Sequence, residues 1–185
     1  MTKILPNHIS DILNLFHDIV FTGTDGEETF DQFLSLEQKE CISLALTTYY
    51  QCQECQNYHS KILANLKNTK IDTLNKHVSS MILFLRTDIN NISTPELNRW
   101  LETWDQLATK IITKYHDPII PMLVAFSIGV ARNDKTLINM FGKSIKKLNN
   151  YPQIIKETIA VTLFMKTATS SNRITNTIDK LLEIK

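Results

Sequence analysis

This chain has few residues able to stop a helix: its 185 positions include four glycines and five prolines. Apolar residues recur at three- and four-residue spacing almost throughout, and no alternating run bounded by turn residues predicts a strand. The expected fold class is therefore all-α, a packed antiparallel bundle of about eight to nine helices. The first helix is predicted over about residues 7–20, with Ile9, Ile12, Leu13, Phe16, Ile19 and Val20 on one stripe. Thr22 to Gly26 reads as a loop. Ser35-Leu36-Glu37-Gln38 has the form of a capping box and opens a second helix to about Tyr50. Further helices are predicted near 53–67, 71–87 and 94–115, the last opened by a Thr94 cap, Pro95 at the first helical position and Glu96. Beyond the break at Asp117-Pro118 come helices near 119–131, 134–148, 152–168 and 171–183.

No Gly/Ser-rich linker marks a boundary, so residues 1–185 read as a single helical domain. One short internal match stands out. Lys39-Glu40-Cys41-Ile42 and Lys156-Glu157-Thr158-Ile159 agree at three of four positions, and Leu46 and Leu163 fall in step at the same offset of 117. Thr169 and Asn172 stand where the first copy has Cys52 and Cys55. Chance accounts readily for so short a match. Read as a repeat, it divides the chain into half-domains 1–92 and 93–185, with chemistry kept in the first.

Twenty basic and nineteen acidic side chains leave a net charge of +1, so bulk electrostatics favour neither nucleic acid nor an anionic membrane. The most apolar stretch, Ile119 to Val130, is too short to span a bilayer. Polar and acidic residues interrupt the apolar run of the first sixteen positions, which argues against a signal peptide and for a cytoplasmic protein. Three cysteines, an odd count, argue against a disulfide framework.

The informative segment is Glu40 to His59, ECISLALTTYYQCQECQNYH. Cys55 and His59 are four apart, which on a helix places them on one face within hydrogen-bond reach, directly or through water. Cys52 and Cys55, three apart at or just before the start of that helix, are close enough to bridge. A helix N-terminus favours the thiolate, which is the nucleophilic form, and His59 can take or relay its proton. Glu40 lies on the stripe Leu36–Glu40–Leu44 and is expected to be at least half-buried. A buried carboxylate needs a partner, and pairing with His59 would let the acid orient the imidazole.

The pattern of glutamate, eleven residues, Cys-x-x-Cys, three residues and histidine resembles the active-site motif of the alkylhydroperoxidase D family, within the carboxymuconolactone decarboxylase superfamily. All four defining positions match, over about 20 of the 185 residues. The resemblance implies packed helices in a homo-oligomer, a trimer or hexamer. It also implies peroxidase or disulfide-reductase activity without metal or organic cofactor. It makes Cys55 the peroxidatic thiol and Cys52 its resolving partner, with Glu40 and His59 as proton relay. The implied partners are a hydroperoxide or disulfide substrate and a dithiol reductant or redox protein, with neither nucleic acid nor membrane. One departure is Glu54: family members often carry an aromatic residue or histidine just before the second cysteine. A carboxylate aimed at Cys55 would oppose its thiolate.

Other readings stand beside this one. The segment also suits a degenerate, inactive relative, a binding or scaffold oligomer, or a zinc site needing His77 or Cys41 as a further ligand. Lactone decarboxylation does not call for two thiols. Cys41 reads as a core residue, Glu37 as a rival to Glu40, and Trp100 with Trp104 as core or subunit contact. His8, His17, His77 and His116 read as structural or solvent-facing, and Tyr49 and Tyr50 as packing residues that could wall the pocket.

Overall fold

The computed structural model describes residues 7–24, 29–67 and 70–183, less the side chains of 7–10, 67, 74, 112, 114, 115, 173 and 175–183. Among the described residues the protein is all-α, with eight helices packed together and no strand. In order these are α1 (Asn7–His17), α2 (Leu36–Tyr50), α3 (Gln53–Lys67), α4 (Ile71–Leu85), α5 (Thr94–Tyr115), α6 (Ile120–Arg132), α7 (Lys135–Ile145) and α8 (Tyr151–Glu183). No helix among the described residues is long and apolar enough to cross a membrane.

The capping box at the start of α2 is present: Ser35 accepts from the Gln38 N–H while the Gln38 side chain accepts from the Ser35 N–H. The cap of α5 differs from the expectation. Glu96 reaches back to both the backbone N–H and the hydroxyl of Ser93, one residue before Thr94. The first helix is shorter than predicted. After His17 it widens into a π-helical turn, Asp18–Thr22, which ends at Gly23 in the left-handed region (φ 75°). A side chain there would also collide with the Phe30 carbonyl, so glycine is required twice over. Ile12, expected on the buried stripe, is 63% exposed, and the side chains of His8 and Ile9 lie outside the described residues.

The two helices predicted over 152–168 and 171–183 are one continuous α8. The expected break falls at Thr169 and Ser170, with Thr167 one turn before its end. Instead their hydroxyls bond back to the carbonyls of Met165, Lys166 and Leu163 on the preceding turn, so the helix passes through them.

The core is built around α2, which packs against α3, α4, α6 and α8. Nine consecutive residues, Lys39 to Thr47, are buried, so α2 has no solvent face along that stretch. Leu123 to Gly129 of α6, within the apolar run noted in the sequence, are likewise seven consecutive buried residues. Trp100 and Trp104 of α5 are buried core residues, stacked on Phe84 and, for Trp104, edge-on to Phe141. Cys41 is likewise buried in the core.

Polar side chains trapped on a helix buried all round must find partners inside. Ser43 bonds back to the Lys39 carbonyl. Lys39, 1% exposed, donates to the Val20 carbonyl and the Gln32 side chain and lies 3.6 Å from Glu157 on α8. Burial pushes its ammonium below the ordinary lysine range, and the Glu157 carboxylate partly opposes that. Glu157 also accepts from the backbone N–H groups of Phe33 and Leu34 at 2.6 and 2.9 Å, tying the segment before α2 to α8.

Candidate functional site

The chain breaks once between α2 and α3, and that break builds the site. Gln51 ends α2 in the left-handed region (φ 60°), with its N–H on the carbonyls of Thr47 and Thr48. Cys52 follows as the residue capping α3. Its carbonyl accepts the Gln56 N–H at 2.9 Å, and its sulfur accepts the Cys55 N–H at 3.4 Å. That second contact is the geometry of an N-cap side chain serving the third helical residue, with sulfur in place of the usual oxygen. Cys52 and Cys55 are joined as a disulfide, their Cα atoms 5.3 Å apart.

One turn further along α3, His59 meets Glu40. Nδ1 of the imidazole donates to Glu40 Oε2 at 2.7 Å. A carboxylate only accepts, so the proton on this bond belongs to Nδ1 and Nε2 is the nitrogen left to take another. Glu40 is 2% and His59 4% exposed, so the pair is largely desolvated. Phe21 stacks on the ring from one side and Tyr58 meets it edge-on. Glu40 is far more buried than a half-exposed stripe position, because α2 is enclosed on every side. Glu37 does not take its place on His59.

Cys55 and His59 both line a cavity of about 310 Å³ between α3, the end of α1 and α8. Its apolar wall comes from Tyr58, Phe164, Met165 and Ala168. Its polar groups are Glu54, His17 and Asn172 besides the two motif residues. Glu54 is exposed and sits in the first turn of α3, where the helix dipole favours a carboxylate. Asn172 donates through Nδ2 to the Cys55 sulfur at 3.3 Å. Cys52 does not line this cavity, so the two sulfurs are inequivalent.

Three further expectations change here. His17, read as structural or solvent-facing, lines the cavity, stacked on Phe21 at 4.8 Å and 3.1 Å from the Asp18 carboxylate. Nothing in local sequence marks it. Asn172 was noted only as the residue replacing a cysteine in the second copy. Its separation from Cys55 equals the offset of 117, but equivalence of two positions does not imply that they touch. Tyr49 and Tyr50 wall a different hollow, shared with Gln51, Arg86 and Arg132. There Arg86 donates to the Tyr49 carbonyl at the end of α2, and Arg132 donates to the Leu85 carbonyl at the end of α4. Two arginines thus cover helix C-termini, which is a stabilising role. Burial, aided by the neighbouring Tyr49, raises the Tyr50 phenol above its ordinary range.

Among the described residues, no group of three or more histidine, cysteine, aspartate or glutamate side chains is arranged to hold a metal ion. Comparison with family models, curated proteins and solved structures finds no match.

Proposed function

We propose that this protein is a thiol–disulfide enzyme of the alkylhydroperoxidase D type, reducing hydroperoxides or disulfides through Cys52 and Cys55. The observation that carries the reading is the buried Glu40–His59 bond at the wall of the cavity that also holds Cys55. Each residue alone has an ordinary structural explanation. A carboxylate and an imidazole desolvated together beside a redox sulfur are the parts of a proton relay.

In the reduced enzyme, Cys55 gives its proton to His59, whose positive charge Glu40 stabilises. The Cys55 thiolate attacks one peroxide oxygen and the O–O bond breaks. The departing alkoxide takes the proton from His59, leaving a sulfenic acid on Cys55. The Cys52 thiol attacks the Cys55 sulfur, a water leaves, and the disulfide closes. An external dithiol restores the pair. Its thiolate attacks Cys55 from the cavity, and Cys52 leaves as a thiolate onto the Cys55 N–H. The second thiol of the reductant then releases Cys55, and the reductant departs oxidised. With a disulfide substrate the same exchange runs in reverse.

The reading carries a homo-oligomer, a trimer or hexamer, in a cytoplasmic setting where dithiol reductants are available. A Glu54 carboxylate aimed at Cys55 would disfavour the thiolate and slow peroxide turnover.

The test is turnover of an organic hydroperoxide and of a small disulfide, with dithiothreitol as reductant. Wild type is expected to turn over at least one of them, and Cys55→Ser to fall to background with its helical circular dichroism unchanged. A folded wild type that consumes neither leaves a catalytically weak helical binding or scaffold module as the better description.

A further inference from the structure

Cys55 is 7% exposed, and a thiolate placed there has lost most of its water. It needs donors or it will not form. The donor its own helix offers is already used, since the Cys55 N–H points at the Cys52 sulfur. Glu54, its neighbour in sequence and on the cavity wall, is a carboxylate and offers the sulfur no donor. Among the described residues, the hydrogen bond to the Cys55 sulfur comes from across the cavity, from Asn172 on α8. A disulfide or thiolate sulfur accepts and does not donate, so the amide must present nitrogen rather than oxygen to it. Such a bond is weak to a disulfide and becomes charge-assisted when the sulfur is a thiolate. Asn172 therefore discriminates between redox states: it favours the reduced form.

We propose that Asn172 is a positioning residue that holds Cys55 as a thiolate, an assignment that rests on the redox reading of this same site. Each sulfur then has its own donor, Cys52 the backbone of α3 and Cys55 a side chain of α8. In the regeneration step, Asn172 is the group onto which Cys55 leaves when the reductant's second thiol attacks the mixed disulfide. The two electrons come from the dithiol, and its thiol protons go to His59 and solvent.

The test measures the pH dependence of iodoacetamide alkylation at Cys55 in the reduced full-length protein, followed by mass spectrometry of the Cys55 peptide. Wild type is compared with Asn172→Ala and Asn172→Asp. The aspartate keeps the shape of asparagine, so it serves if the alanine variant packs poorly. Asn172→Ala is expected to raise the Cys55 pKa by about one unit and slow alkylation below that pKa about tenfold. Asn172→Asp is expected to raise it further, because a carboxylate replaces the donor, and both variants should shift the disulfide potential to more negative values. A purely structural asparagine would be indifferent to the isosteric aspartate, and pH profiles superimposing on wild type would overturn the assignment. The thiol pKa is read without turnover. An inactive wild type with an Asn172-dependent profile removes the enzymatic reading and keeps this one; an active wild type with an Asn172-independent profile does the reverse.

Discussion

The two segments that match at an offset of 117 share a lysine, a glutamate, an isoleucine and a leucine, yet they are opposite kinds of structure. The first is interrupted: α2 stops at Gln51, and α3 starts afresh at Cys52. The second runs through the corresponding positions as uninterrupted α8, with Thr169 buried and bonded back to Met165. Leu46 is fully buried, whereas Leu163 is 50% exposed. Glu40 holds an imidazole, and Glu157 holds two backbone N–H groups and a lysine. The lesson concerns the break. A continuous helix consumes every interior N–H in its own ladder, so its backbone offers nothing to an anion. Interrupting the helix frees N–H groups at a new N-terminus, and that is where the paired sulfurs sit. The same residue types without a break stay architectural.

That contrast can be broken most severely at the two glutamates. Glu40→Ala should leave His59 buried without its acceptor, lowering turnover about 100-fold and costing about 3 kcal/mol of stability. Glu157→Ala should cost a comparable amount in urea unfolding, because it strips the ion pair from Lys39, while turnover per folded molecule stays at the wild-type value. If both variants lose activity in proportion to stability alone, Glu40 has no chemical role and the contrast fails.

A smaller effect should come from Lys39. Its pKa is lowered in the fold, so the fold penalises the ammonium relative to the unfolded chain. The penalty is complete below the lowered pKa and disappears as pH rises from there toward the ordinary value near 10.5. Wild type should therefore gain urea stability relative to Lys39→Met as pH is raised through that window. A difference that stays flat, or falls, would contradict the assigned direction.

The smallest change sharpens the break itself. Gln51 is a non-glycine residue in the left-handed region, and Gln51→Gly removes that strain while keeping the turn. It should stabilise by about 0.5–1 kcal/mol in chemical denaturation, with activity retained. Destabilisation would mean that the Gln51 side chain, rather than the backbone turn, maintains the interruption.

The sequence by itself determined the helical class, the capped start of α2, the close bounds of α3 and the bridging distance of Cys52 and Cys55. These depend on residues within a few positions of one another, where helix geometry alone sets distances. It also marked Glu40 and His59 as candidates, though their meeting at 2.7 Å needed α2 and α3 to pack. Only the tertiary structure decided that α2 is enclosed on all sides, that Thr169 and Ser170 continue a helix, and that His17 and Asn172 reach the cavity. Enclosure depends on which neighbours surround a helix, and periodicity describes one face at a time. Asn172 is 117 residues from the sulfur it touches, and no local pattern encodes a contact across that distance.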